Sequence, residues 1–515
     1  MKLNELFVGK VDAKNEFLED SFEKKDLFIT SFFCPDNVVL EDFYKRKRYF
    51  ILGYKGTGKT ALLKYIERTL KREKQIHSLF LLFKTDITEN EKKMMSRLTG
   101  TIIAEQNGVL EEVSYEDVWL WLIHRLIVHE IESTGANLFE DNKDLDRYIK
   151  CVHVADEGKI LYGIGKFFPK IKRGNIKAGM NAGVISSQIG LVFEWSDENK
   201  EYLNFSSLVK QATELLKKLS PGKEEFFIFV DELELVYSTK KQYDKDIKLL
   251  RDLIVATSKV NEIFKKKSLR LGVVAAIRDE VLSVISSAGR EINKSIDDFG
   301  VSLRWQQAGG DVAKHPLIQM ISQKIAASDK SISYDEVWDK YFPKTINKLS
   351  CQEYILRQTW YRPRDIVRLL GIIQKQFPNK ECFEQYMFES ISKDYSKESW
   401  VELTEELLSI FQHDDLAAIK MVLTGFFSPF RASDFQKRIE ELSKIYSNVS
   451  NFQDKHKIGD VLQILYRVGI IGNTGARIRY FCRGDNDFDI TKQIKIHNPL
   501  WNYLSITRNN VIDHS

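Results

Sequence analysis

The sequence predicts an α/β fold on a parallel sheet for residues 1–310, a helical lid over 311–395, and a smaller mixed helix-and-strand region over 396–515. Three observations carry this. Apolar runs at 50–52, 78–87, 224–234 and 270–280 alternate with helical patterns, and that alternation requires crossover connections between parallel strands. From about residue 312 the strand signal fades and helical spacing dominates, as in RPRDIVRLLGIIQKQ (362–376). Beyond residue 400 the pattern changes again: three helical patterns precede GARIRYFCRG (475–484) and QIKIHNPLWNYLSI (493–506).

The elements follow in order. Phe50-Ile51-Leu52 is a short apolar run that breaks at Gly53, and after Thr60 apolar residues recur at Leu62, Leu63, Ile66 and Leu70, which is helical spacing. SLFLLFKTDI (78–87) reads as a buried parallel strand with a polar end. Residues 113–132 read as a helix with a heavy aromatic face. EEFFIFVDELE (224–234) is the most strand-like run of the chain, and a long helix at 242–265 leads into RLGVVAAIRDE (270–280). Residues 158–193 interrupt the pattern. They hold no acid but carry Lys159, Lys166, Lys170, Lys172, Arg173 and Lys177 among glycines, as an inserted set of hairpins or a loop would.

Composition narrows the function classes. The 515 residues are 43% hydrophobic and 12% aromatic, enough to bury a sizeable core. The 77 basic and 73 acidic residues nearly balance at +4, so only local clusters can select a charged partner. Five scattered cysteines without CxxC spacing, and nine histidines without a paired ligand pattern, predict a reduced intracellular protein lacking a structural zinc. No signal-peptide core opens the chain, and VWLWLIHRLIVHEI (118–131) is too short to span a bilayer. A cytoplasmic, membrane-free protein is expected.

The chemistry begins at Gly53-Tyr54-Lys55-Gly56-Thr57-Gly58-Lys59-Thr60, which fits GxxxxGK[ST] at every fixed position. Glycines at Gly53, Gly56 and Gly58 let backbone N–H groups from Lys55 to Ala61 turn inward around a phosphate. Lys59 is expected to reach the β and γ phosphates, Thr60 to offer its hydroxyl to Mg²⁺, and the following helix to point its positive end at the same anion. FFIFVDE (226–232) supplies Asp231 for Mg²⁺ and Glu232 as general base. A carboxylate after the Asp favours ATP hydrolysis, and the lack of NKxD favours ATP over GTP. Arg278, at the end of an adjacent strand, and Arg364, opening a helix in the lid, are candidates for contacting the γ-phosphate. For each, a surface salt bridge is the competing reading.

GYKGTGKT, IFVDE, VVAAIR and RPRDIVRLL, in this order before a C-terminal winged-helix-like region, resemble the AAA+ P-loop ATPases. The layout is most similar to initiator ATPases of the origin-recognition type and their bacterial P-loop relatives, including ATPases associated with phage defence. That resemblance implies Arg364 as the sensor-2 arginine and the end of 271–277 as the sensor-1 position. There the family carries a neutral polar residue and this chain carries Arg278-Asp279. It also implies a winged helix with helices near 415–424 and 433–446, a recognition helix at 457–468, and Arg477, Arg479 and Arg483 on the wing.

Such a wing can hold double-stranded DNA through its phosphates, or dock protein; Asp485, Asp487 and Asp489 oppose the first. The basic insertion and YKRKRY (44–49) are further candidate DNA surfaces. The leading expectation is an ATP- and Mg²⁺-dependent switch that forms homo-oligomers or engages DNA or protein. Its rivals are a DNA-dependent motor or loader, and a nucleotide-gated scaffold recruiting a separate effector, because no effector motif occurs in the chain.

Overall fold

The computed structural model describes residues 1–17, 27–87, 115–153, 205–233, 240–286, 292–306, 310–408, 410–475 and 477–505. The basic insertion at 158–193 lies outside the described residues.

A five-stranded parallel sheet forms the first core. Strand β1 (Phe50–Gly53) runs into helix α1 (Lys59–Lys74), and β2 (His77–Leu82) follows. Helix α2 (Glu116–Thr134) precedes β3 (Phe226–Leu233), α3 (Lys240–Lys266), β4 (Leu271–Arg278) and β5 (Gly300–Ser302). The spatial order is β2-β3-β4-β1-β5, so β4 separates the two strands that carry the motifs. All pairings are parallel. The α/β expectation holds at this level.

Four of the five strands are legible as apolar runs. The fifth is not, because Gly300-Val301-Ser302 is a three-residue edge strand with only Val301 buried. The run at 78–87 also differs from expectation: pairing ends at Leu82, and Phe83–Asp86 turns into a short helix. Asp86 accepts the Leu82 N–H at 2.7 Å, closing the turn. Every residue of β3 except Glu232 is buried, which is why its alternation is invisible in the sequence. Gly272 of β4 permits this packing, since a Cβ there would stand 2.5 Å from the Phe227 ring.

A second core forms from residues 305–395, including α4 (Pro316–Ser328) and α5 (Pro363–Gln376). The first residues of the chain join it: Leu3, Leu6 and Val8 pack there rather than against the sheet. Helix α6 (Ser392–Leu407) leads into a third core built from residues 400–504. Four helices, His413–Leu423, Ala432–Ser443, Ser447–Lys455 and Ile458–Val468, precede an antiparallel pair of strands, Ile471–Asn473 with Ile494–Ile496. Between these two strands Asn473 bridges Arg479, and Phe481–Arg483 forms a single helical turn. No helix among the described residues is long and apolar enough to cross a membrane.

Candidate phosphate-binding site

The loop between β1 and α1 turns at Gly56 and Gly58, whose φ angles of +81° and +93° only glycine adopts without strain. Gly58 caps α1, and a Cβ there would meet nothing within 4 Å, so the backbone conformation rather than crowding demands glycine. Trp305, just beyond β5, braces the loop by donating its indole N–H to the Thr57 carbonyl at 2.9 Å.

A cavity of about 280 Å³ opens against this loop. Lys55, Gly56, Thr57, Gly58, Lys59, Thr60 and Ala61 line it, with Asp231, Glu232, Arg278 and Arg364. Eleven of the twelve residues expected from the sequence to contact nucleotide or Mg²⁺ therefore line one hollow. Gly53 does not line it; its part is steric, because a Cβ there would stand 2.5 Å from Thr57 Oγ1.

Asp231 and Glu232 are neighbours on a strand and would normally face opposite sides of the sheet. A bulge between Val230 and Leu233 breaks the register, and Glu232 takes a left-handed φ of +62°. Both carboxylates thereby reach the same cavity. Such a conformation costs a non-glycine residue about 1–3 kcal/mol, which the surrounding sheet must hold in place. The Glu232 N–H donates to Asp231 Oδ1 at 2.8 Å. Asp231 Oδ2 is buried without a hydrogen-bond partner among the described residues, a disposition that suits a cation or its water.

Lys59 is buried and folds back on the loop, donating to the Gly53 and Tyr54 carbonyls at 2.7 and 2.8 Å. Burial lowers its ammonium to about 8, with Arg278 adding to the effect and Glu280, Asp231 and Asp279 opposing it. Arg278 itself lies 3.7 Å from Glu280.

Arg364 reaches the site from the helical region. Its backbone N–H approaches the Gly56 carbonyl at 3.4 Å, and its guanidinium donates to Glu402 at 2.5 Å and to the Val11 carbonyl at 3.1 Å. Glu402, on α6, collects three cations: Arg364, Arg368 at 2.8 Å and the loop's own Lys55 at 3.3 Å. Burial raises its carboxyl, but Arg364, Lys55 and Arg368 overcome that and hold it at about 2. Glu405 also pairs with Lys55, and Glu406 with Arg362.

Sequence reasoning missed a second contributor, the N-terminal segment. Lys14 pairs with Glu232 across a separation of 218 residues, while Glu16 pairs with Lys324 of α4 at 2.6 Å. Nothing local in VGKVDAKNEF marks these residues, whose partners are set by tertiary packing alone.

The basic run at 44–49 sits at the opposite end of the sheet. Arg46 donates to the carbonyl of Leu271, the first residue of β4, and Arg48 to the carbonyls of Asp298 and Gly300 at 2.7 and 3.1 Å. Lys45 pairs with Glu41 and Lys47 with Asp42. Of the C-terminal arginines, Arg477 pairs with Asp485 at 2.8 Å, Arg479 bridges Asn473 through its backbone, and Arg483 lies against Tyr361 and Tyr480.

Residues 315–404 match the FunZ-associated C-terminal helical domain. That span runs from the start of α4 through most of α6, and so contains Arg364, Arg368 and Glu402. Over 493 residues the chain is 22% identical to an Escherichia coli (strain K12) protein described as "Putative transposon gamma-delta 80.3 kDa protein". The alignment takes in 90% of this chain and 63% of that protein's length.

Proposed function

We propose that the chain binds ATP with Mg²⁺ in the cavity beside the β1–α1 loop and hydrolyses it, acting as an AAA+-like switch. One observation carries the reading. A glycine-turned loop, a buried lysine, two carboxylates brought together by a bulge and two arginines from separate elements converge on one hollow. The spatial strand order, with β4 between the loop strand and the carboxylate strand, is compatible with it.

Asp231 Oδ2 and the Thr60 hydroxyl are the groups to hold Mg²⁺, which when bound would neutralise phosphate charge. The loop N–H groups and Lys59 bind and orient the β and γ phosphates, after Lys59 leaves the Gly53 and Tyr54 carbonyls. Glu232 takes a proton from a water that attacks the γ phosphorus, and ADP departs with the β–γ bridging oxygen. For that, Glu232 must be released from Lys14. Arg278 and Arg364 stabilise charge on the transferred group, and moving Arg364 toward it draws on the Glu402 network. Nucleotide state is thereby read out on α6, the helix that enters the C-terminal core.

Double-stranded DNA is the partner favoured for that core. The support is the relative's description as a transposon protein and the arginines at 477–483. A nucleotide-dependent homo-oligomer engaging a protein effector, in phage defence or in DNA maintenance, is the alternative use of the same switch. Steady-state phosphate release with and without duplex DNA, beside mass measurement in ATP, tests both. Strong stimulation by DNA points to a motor; slow turnover with ATP-dependent assembly points to a switch. No ATP binding at millimolar concentration refutes the reading.

A further inference from the structure

A second hollow, of about 570 Å³, lies between the second and third cores. Gln306 reaches it from beyond β5, Arg357 from the end of the helix Cys351–Arg357, Tyr361 from the turn before α5, and Tyr480, Arg483 and His497 from the C-terminal region. Among its charged lining residues cations outnumber anions, with Arg357, Arg477 and Arg483 against Asp485.

Three of its lining residues hold buried polar atoms without a hydrogen-bond partner among the described residues: His497, Arg483 and Asp485, whose Oδ2 is unpartnered while its Oδ1 accepts from Arg477 at 2.8 Å. His497 is 1% exposed, yet neither ring nitrogen has a hydrogen bond. Its ring packs at 4.3 Å from Tyr480 and 4.9 Å from Trp360, so it cannot swing away to find a partner. Burial, then Arg483 and Lys495, hold it well below the usual imidazole range, so it stays neutral with one N–H to donate. The Arg483 guanidinium lies 5.4 Å from the Tyr361 ring and 5.0 Å from the Tyr480 ring, and its buried Nε is unpartnered among the described residues. Cation–π contact with two rings restricts where the guanidinium can move. Leaving such donors unsatisfied is unfavourable, and a ligand rich in acceptors and carrying negative charge removes the deficit.

We propose that this hollow is a binding site for a phosphate ester, held by Arg483 and His497 and attracted by Arg357. The site is separate from the phosphate loop and does not depend on hydrolysis there. It is linked to that loop: Gln306 donates to the Cys482 carbonyl at 3.0 Å, and Phe481 packs edge-on against Tyr54 at 5.6 Å. The phosphate could come from a nucleic-acid backbone or from a free ester.

Two measurements on the full chain decide. The first is anisotropy of a labelled 20-base-pair duplex without nucleotide. The second is calorimetry with inorganic phosphate in a Lys59→Ala background, which disarms the phosphate loop. Arg483→Gln is expected to weaken at least one probe roughly tenfold, and Arg357→Gln several-fold, whereas Lys375→Gln, exposed on α5 and outside the hollow, changes either by less than about twofold. A loss confined to the duplex assigns a nucleic-acid phosphate; a loss confined to phosphate assigns a free ester. The Arg357 side chain is about half exposed, so that variant carries the test if Arg483→Gln does not fold. The proposal is overturned if neither probe binds, if both pocket variants bind like wild type, or if Lys375→Gln weakens binding equally. Because ATP is absent, none of these outcomes bears on the hydrolysis reading.

Discussion

Two clusters of cations sit at opposite ends of one sheet, and they behave differently. Before β1, Lys45, Arg46, Lys47 and Arg48 are each engaged, either by backbone carbonyls at the starts of β4 and β5 or by local acids. After β1, Lys55, Lys59 and Arg364 are also engaged, but around a hollow that contains an orphaned carboxylate oxygen. YKRKRY is the denser run, yet its charge fastens strand ends. Charge density in a sequence therefore says little, and the unsatisfied group beside the charge says much.

The largest effect that can break this contrast is at Glu232. Glu232→Gln should lower the rate of phosphate release by about 10²–10⁴-fold while ATP stays bound. Lys59→Ala should abolish release and weaken ATP binding together. Glu402→Gln comes next. It leaves Arg364, Arg368 and Lys55 without their shared carboxylate and should destabilise the fold by about 3 kcal/mol in urea unfolding, because a buried ionic network loses one member. Lys14→Ala should leave ATP binding unchanged and raise basal release several-fold, since Glu232 no longer has to break that pair.

The pH dependence follows from Lys59. Its ammonium titrates at about 8 in the free chain, and a bound polyphosphate favours the charged form. ATP affinity should therefore be flat below pH 8 and fall above it, by at most about tenfold per pH unit, as binding comes to require proton uptake. The smallest effect belongs to the other cluster. Arg46→Ala should cost about 1 kcal/mol of stability and leave ATP turnover unchanged.

These predictions divide along what the sequence makes legible. The loop and the carboxylate pair are readable because each depends on neighbours within a few residues; Arg364 is readable only from its place in RPRDIVRLL, since its partners Val11, Gly56 and Glu402 are distant in sequence. Gly58 needs its φ, Lys59 heads a helix, and Asp231 ends an apolar run. The bulge that brings Asp231 and Glu232 to one side is not readable, since FFIFVDEL is equally consistent with a regular strand. Lys14 and Trp305 act through partners 218 and 248 residues away, Glu402 through Arg364 and Arg368 at separations of 38 and 34 and through the more distant Lys55, and none carries a local pattern. The edge strand at 300–302 is lost for another reason: three residues with one buried side chain give periodicity nothing to detect.

The most direct test of the central claim is a paired measurement of ATP binding and phosphate release on wild type and Glu232→Gln in Mg²⁺. The account predicts that both proteins bind ATP and that only wild type releases phosphate at a measurable steady rate. Equal release by the two proteins, or ATP binding by neither, would contradict it.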